Sequence, residues 1–506
     1  MDRFGQKGSI TVFLSLVCIL FLSLICASVE SARFQGARAQ TANIAGMSTF
    51  SLLGEFEKTL LEKYNIFSLD GTYGNGAFGA EKVKERLEDY ISYHVQPDKG
   101  LNVPFVFDPW NLELTDSSIE EYALLTDDKG EPFYQQAVSY MKVNAAGMAV
   151  DKLLEYTKHQ EEIETWQEKY EESRKSNDSQ ITELEGSKQQ KLQEMESEAA
   201  ERGTVFIEPE EPKGNPLKEI ASLRKKSTLS IVTWDKELSA KKINPGNFPS
   251  GNRNRRGTMK IEKTHSGLTA NLLFREYLLQ HFPSYLSGLK GKALDYQIEY
   301  ILGGKNTDEK NLKYVVNRLL LIREGMNYLY CLKDQSIRQQ AEKLAVALTG
   351  FFGIPALTAA TKHALLLAWA YGESLVDVRI LLDGGKVPIW KDASTWSLTL
   401  ENLGHITEIL KEGAKESGKG LMYPEYLRVL LNMGSVSSQK MRALDMIQAE
   451  LREEGESSGF KAENCIVAVK TNTQWKCRTV FFSLPKAVMG ISGPDSVFTQ
   501  KCSIAY

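Results

Sequence analysis

The chain has 506 residues, 42% of them hydrophobic and 25% charged, with a net charge of −4 at neutral pH. This composition excludes a wholly disordered chain and suffices for roughly two to four cored domains. The small acidic charge, with no basic helix and no nucleic-acid module, argues against a nucleic-acid partner.

Residues 9–29, SITVFLSLVCILFLSLICASV, carry no charged side chain. At about 1.5 Å per residue this run matches a hydrocarbon core about 30 Å thick. Arg3 and Lys7 precede it, whereas Glu30 and Arg33 offset each other after it. The excess of positive charge before the run predicts a cytoplasmic head at 1–8, one transmembrane helix at 9–29 and an extracytoplasmic remainder, in the cell membrane. The alternative is a cleaved secretory signal ending at Ala27-Ser28-Val29, but the apolar core of a signal usually spans only about 7 to 15 residues. Cys18 and Cys26 follow Val17 and Ile25, not the small residue that lipid attachment requires.

The helical pattern continues over 30–64. Ala32, Gly36, Ala39, Ala42, Ala45 and Gly46 recur at helical spacings and make one narrow face. Such a face lets a second helix approach closely; the competing reading is packing against the chain's own ectodomain.

The head ending in Lys7-Gly8, the SITVFLSL run, the ESAR that follows it, the alanine-rich helix and the Tyr64 to Phe67 exit resemble the N-terminal module of TadE- and TadG-like proteins. Those are membrane proteins of tight-adherence systems, relatives of type IV pili. Further along, YILGGKNTDEKNL from Tyr300, VVNRLLLIREGMNYLY from Val315, ALLLAWAYGESLVDVRILLDGGKVPIWK from Ala364 and YPEYLRVLL from Tyr423 extend the resemblance, most closely to an uncharacterised family of Firmicutes (Clostridia) membrane proteins found with such systems. The resemblance implies a minor pilin-like structural or assembly component, with other pilus-like or secretion-system membrane subunits as partners. It also implies prepilin-type processing between Gly8 and Ser9. The chain departs from pilins at the fifth position after that cut, where Phe13 replaces the usual glutamate.

Residues 65–130 read as a small mixed α/β region, with strand candidates near 65 and 105 and an amphipathic helix over Ala80 to His94 that places Val83, Leu87, Tyr90 and Ile91 on one side. Residues 131–202 read as a charged helical hairpin reversing at Ser176 to Ser179, with a broken coiled-coil seam. Its acidic surface is expected to be a solvated face. Residues 203–257 read as a linker with a helix near Leu217 to Lys226 and a strand at Leu229 to Trp234. Lys241, Lys242, Arg253, Arg255 and Arg256 make its end basic; this stretch is expected to be a solvated loop, or else a contact for anionic cell-wall polymer. Residues 258–454 form a predominantly helical domain. Gly350, Gly353 and Pro355 divide its most apolar part into a buried helical hairpin, not a second span. Glu373, Asp377 and Arg379 there read as a buried charge network, with an acidic site as the alternative. Residues 455–506 read as a β-hairpin turning at Thr471 to Gln474. Its flanks place Cys465 and Cys477 as the candidate disulfide pair, with free buried thiols as the alternative.

The chemical motifs fail one by one. Gly74 to Gly79 matches a dinucleotide fingerprint but does not directly follow a strand, so a helix-capping turn is expected. Gly413 to Gly420 resembles a phosphate loop but ends in Gly420 where Ser or Thr should bind magnesium. The six histidines lack metal-binding spacing, and no serine sits in a nucleophile elbow. Only the fold can decide whether two carboxylates meet as acid and base. The sequence therefore predicts no catalytic, cofactor or metal site and no enzyme. The predicted fold is mainly α with a small mixed α+β part: a transmembrane helix continuing into a long helix, a helical-hairpin protrusion and a helical C-terminal domain closed by a β-hairpin. An anchored binding module for wall polymer is the alternative function, and a motif-less anchored hydrolase a more distant one.

Overall fold

The computed structural model describes residues 5–74, 77–95, 110–144, 157–158, 160–207, 215–234, 236–412, 418–453, 459–481 and 495–506. The chain forms two units, each assembled from distant segments: one from Met1–Ala137, Arg253–Thr264 and Leu451–Tyr506, the other from Val138–Asn252 and His265–Glu450.

The first unit begins with helix α1, Gly5–Leu53. Gly54 follows it, and α2, Lys58–Tyr64, ends where Asn65 turns left-handed. The helix expected to run to residue 64 is thus broken into two. Strand β1, Leu69–Asp70, and helix α3, Ala80–Val95, come next. In α3 Val83, Leu87 and Ile91 are buried at the predicted helical spacing. Strand β2 is Leu112–Leu124, β3 is Cys465–Cys477 and β4 is Ser496–Ala505. All pairings are antiparallel: β3 is central, β2 lies on one edge, and β1 and β4 share the other. Ile44, Leu52 and Leu53 of α1, Val83, Leu87 and Ile91 of α3, and Leu124, Ile466, Val469 and Trp475 of the sheet form one core. Each fully buried aliphatic or aromatic side chain there contributes about 1.5–3 kcal/mol.

The predicted turn at Thr471 to Gln474 is not made; β3 runs straight through it. Thr471, Asn472, Thr473 and Gln474 pair with β2 on one side and β4 on the other. The β-branched threonines suit a strand, and no glycine offers the positive φ a tight turn needs. This also removes the Cys465–Cys477 disulfide. The two residues end a single 13-residue strand, and at about 3.4 Å per residue their separation is several times the 7 Å limit for a bridge. Both are buried thiols outside any disulfide, and Cys477 Sγ donates to the Trp110 carbonyl at 3.1 Å. The strand candidate near residue 105 and residues 482–494 lie outside the described residues.

The second unit is helical. The element Asp127–Asn144 (α4) enters from the first unit after three left-handed residues, Asp128 to Gly130. Helix α5, Gln160–Glu201, is continuous over 42 residues, so the reversal expected at Ser176 to Ser179 is absent. That stretch holds neither glycine nor proline, Asn177 is buried, and the Ser179 and Thr182 hydroxyls donate to the carbonyls of Lys175 and Asp178 at 3.0 and 2.8 Å. These bonds satisfy polar side chains within the helix instead of ending it. Helices α6, Pro216–Arg224, and α7, Thr228–Thr233, follow. The segment read as a strand at Leu229 to Trp234 is therefore mostly helix. Leu229, Ile231 and Val232 are all buried, and a short apolar run of this kind does not reveal its period.

Helices α8 (Gly267–His281), α9 (Gln297–Gly303), α10 (Asp308–Lys333), α11 (Gln335–Thr349), α12 (Pro355–Leu382), α13 (Ile406–Glu412), α14 (Tyr423–Met433) and α15 (Val436–Glu453) complete the α-helices among the described residues. Helix α12 packs against α10, α11 and α5 and is buried over most of its length, so the apolar hairpin is core. Gly325 of α10 admits the α5 backbone: a Cβ there would lie 2.8 Å from the Trp166 carbonyl carbon.

The basic stretch is anchored at three of its five cations and through the backbone at Lys242, while the Lys242 and Arg256 side chains are exposed. Lys241 bonds Asp295 at 2.8 Å and the Gly291 carbonyl at 2.6 Å, and Lys242 bridges Thr307. Within the first unit, Arg253 donates to the Thr126 carbonyl at 2.5 Å and Arg255 lies over the Phe78 ring.

Candidate functional site

Helix α1 changes its surroundings along its length. From Ile10 to Val29 no residue is buried. Phe13, for example, is 67% exposed. This is the one described helix long and apolar enough to cross a membrane. Its serines are internally satisfied, as an apolar solvent demands: Ser15, Ser23 and Ser28 donate to the Val12, Leu20 and Leu24 carbonyls at 2.8, 2.8 and 2.9 Å. Gly8 and Ser9 lie in the backbone of α1.

At Glu30 burial begins, and it begins with charge. The buried Glu30 carboxylate accepts from Arg33 at 2.8 Å and from the Val480 and Phe481 amides at 3.2 and 3.1 Å. Arg33 also donates to the Trp110 carbonyl at 2.8 Å and to the Arg478 carbonyl. Below this clamp one face of α1 is buried at Ala37, Thr41, Ile44, Ala45, Ser48, Thr49 and Leu52. Thr49 and Thr471 share a hydroxyl hydrogen bond of 2.9 Å, and Gln500 donates to Thr41 at 3.0 Å.

The predicted small-residue face splits between these two environments. Ala45 is buried in the unit's own core, and Gly36 lies under the Trp110 ring, which a Cβ would meet at 2.3 Å. Ala32, Ala39 and Ala42 are exposed, and Gly46 faces open space. Gln35, Met47 (54% exposed) and Phe50 (70% exposed) fall on the same exposed side. Packing against the chain's own unit thus accounts for Gly36 and Ala45 and not for Ala32, Ala39, Ala42 and Gly46. The open stripe of Ala32, Ala39, Ala42 and Gly46 continues the uncovered surface of the apolar segment.

The second cluster is the charge network in the helical unit. Glu373 and Asp377 stand four residues apart on α12, both fully buried. Arg323 of α10 donates to Asp377 at 2.9 Å, to the Pro388 and Ile389 carbonyls at 2.8 and 3.0 Å and to Asn327 at 3.0 Å. Lys391 pairs with Asp377 at 2.6 Å and with Glu373. Glu373 also accepts from the Ser397 and Leu398 amides at 2.9 and 2.8 Å. Burial pushes Glu373 above the usual carboxylate range against the pull of Lys391. At Asp377 burial acts the same way, but Lys391 and Arg323 outweigh it and hold the group low. Two cations neutralise two anions, and each carboxylate is engaged by protein. The arrangement fastens the 385–398 segment to α10 and α12 and leaves no water-facing carboxylate for acid–base work.

Sequence reasoning flagged Glu373 and Asp377 but missed Arg323 and Lys391. Arg323 did carry a signal, because it continues the apolar stripe Leu312, Val316, Leu319 on α10. Arg379 lies apart from the network and pairs with Asp383 at 2.9 Å.

The glycine motifs are structural where described. Asp70 accepts from the Thr72 and Gly74 amides at 3.0 and 3.2 Å in the turn before α3, and residues 75 and 76 lie outside the description. Gly420, at φ 108°, sits against the Val387 backbone; 413–417 are likewise outside. Among the described residues no three His, Cys, Asp or Glu side chains gather as a metal site.

Comparison with curated proteins and with solved structures finds no match. One family model, described as a family of unknown function, DUF5702, matches residues 207–477. That match spans more than half of the sequence, and the chain belongs to the DUF5702 family.

Proposed function

We propose that this is a non-enzymatic bitopic membrane protein, with its N-terminus in the cytoplasm and its bulk outside, acting as a structural or assembly component of a tight-adherence, type IV pilus-like system. The observation that carries this reading is the surface of α1. The helix has no buried residue from Ile10 to Val29 and is then clamped to its sheet on one face only, leaving Ala32, Ala39, Ala42, Met47 and Phe50 exposed and Gly46 half-buried. In a membrane, helices associate through close packing at small residues, and a rigid helix carries such a face across the interface. The pilus assignment rests on the resemblance of the N-terminal module. The wall-polymer alternative keeps the exposed Lys242 and Arg256, while Lys241, Arg253 and Arg255 are engaged by their own chain.

A photo-crosslinking amino acid at Ala39 or Ala42, introduced into the full chain in its native membrane, tests the reading. Adducts with a second copy or with another single-helix membrane subunit are expected, and bulky Ala39→Leu should weaken them without loss of folded protein. Adducts to lipid alone refute the packing role. Intact mass of the membrane-extracted protein is expected to show a start at Met1 or, after prepilin-type processing, at Ser9. A soluble product starting near Glu30 removes the anchor and the reading with it.

A further inference from the structure

A cavity of about 260 Å³ opens in the helical unit, lined by α9, α10, α14 and the start of α15. Among the described residues its charged lining is Arg318 and Arg442, with no carboxylate, in a chain whose net charge is −4. Arg442 is held in place: its guanidinium lies on Gly304, where a Cβ would come 2.7 Å from Cζ, and it donates to the Ile301 and Leu302 carbonyls at 3.0 and 2.6 Å. Arg318 is half-buried and, among the described residues, makes no hydrogen bond, ion pair or ring contact. A guanidinium carries five donors and is ordinarily engaged by a carboxylate, a carbonyl or an aromatic face, so an unpaired one on a cavity wall is conspicuous.

The remaining polar lining is neutral and includes further donors. Ser435 precedes α15, and its carbonyl accepts from the Gln439 amide at 3.1 Å. The amides of 436–438 therefore have no partner within the helix. The first turn of α15 carries no acidic residue, and the Ser435 and Ser438 hydroxyls, both exposed, make no hydrogen bond. The helix end adds its partial positive charge to that of the two guanidiniums; it supplements the arginine pair and does not carry the site by itself.

We infer that this cavity binds a phosphoryl oxyanion, with Arg318 as its mobile clamp, Arg442 as its fixed donor and the Ser435 and Ser438 hydroxyls as further donors at the rim. Paired arginines suit the several acceptor oxygens of a phosphate, and the volume accommodates the phosphoryl group with a small substituent. The inference is independent of how α1 is used. Free phosphate esters and the phosphodiesters of an anionic polymer share this chemistry.

The test is calorimetric titration of the full chain in nonionic detergent, at constant ionic strength, with inorganic phosphate, glycerol 3-phosphate and a short poly(glycerol phosphate). Saturable binding is expected, weakened at least about tenfold by Arg318→Gln, the scale of one charge-assisted hydrogen bond. Ser438→Asp, which places a carboxylate in the cavity at a position where a helix tolerates one, is expected to weaken binding similarly. Arg318 has no partner to lose, so its variant should melt as the wild type does. Tighter binding of the polymer identifies a phosphodiester source, and tighter binding of the small probes a free phosphate ester. Absence of saturable binding by all three probes, or equal binding by both variants and wild type, overturns the proposal.

Discussion

Replacing Glu299 by Gln is expected to stabilise the helical unit at alkaline pH and not at acidic pH. Glu299 lies on α9 and is fully buried. One carboxyl oxygen accepts from the Tyr285 amide at 3.0 Å and the Tyr423 hydroxyl at 2.6 Å, while the other has no partner. Burial pushes its pKa from 4.5 to about 7, outweighing those two donors, and nearby Asp308 adds to the rise. The folded state therefore holds the proton more tightly than the unfolded chain. That contribution is complete below the unfolded pKa and is lost as pH rises through 7. A shift of this size corresponds to about 3 kcal/mol between pH 4.5 and pH 8. Gln keeps an acceptor for Tyr285 and Tyr423 and cannot ionise. Hydrogen exchange of peptides covering α9 and α14, corrected for intrinsic rates, should show the Glu299→Gln variant near parity with wild type at pH 4.5 and more protected by up to about 3 kcal/mol at pH 8. A variant equally or less protected at pH 8 would refute the reasoning.

Arg323→Met strands two fully buried carboxylates with Lys391 alone and should cost about 3–5 kcal/mol, read from the denaturation midpoint and protease resistance of the full chain. Adding Asp377→Leu leaves Lys391 opposite Glu373 and should recover much of that loss; a purely additive double variant would show that the network is not energetically coupled. Under native, non-reducing conditions Cys331, Cys465 and Cys477 should resist alkylation and become reactive together on unfolding. A linked Cys465–Cys477 peptide pair would contradict the single-strand geometry of β3.

Local pattern carried the features that depend on neighbours in the chain. The absence of charge over 9–29 marks an apolar helix because length and hydropathy alone set that property. The spacing of Val83, Leu87 and Ile91 identified the buried face of α3, and Gly350, Gly353 and Pro355 marked the break between α11 and α12. The errors came where the deciding partners are remote. Thr471 to Gln474 read as a turn until β2 and β4 supplied hydrogen-bond partners on both edges. Leu229 to Val232 read as a strand because a short apolar run hides its period until α10 and α12 bury it. Ser176 to Ser179 read as a reversal because serine and aspartate favour turns in isolation, whereas here the backbone stays helical and Ser179 donates to the Lys175 carbonyl one turn back.

The candidate sites divide in the same way. Sequence alone determined that α1 has an apolar segment and small residues at helical spacing, since both are properties of the residues themselves. Only the tertiary structure decided which of those small residues stay exposed: Gly36 went under Trp110 and Ala45 into the core, while Ala32, Ala39, Ala42 and Gly46 were left open. It likewise decided that Arg323 and Lys391 neutralise Glu373 and Asp377, and that Arg318 and Arg442 share a cavity without an acid. Burial and charge pairing arise between segments tens to hundreds of residues apart, and periodicity along one segment carries no record of what packs against it.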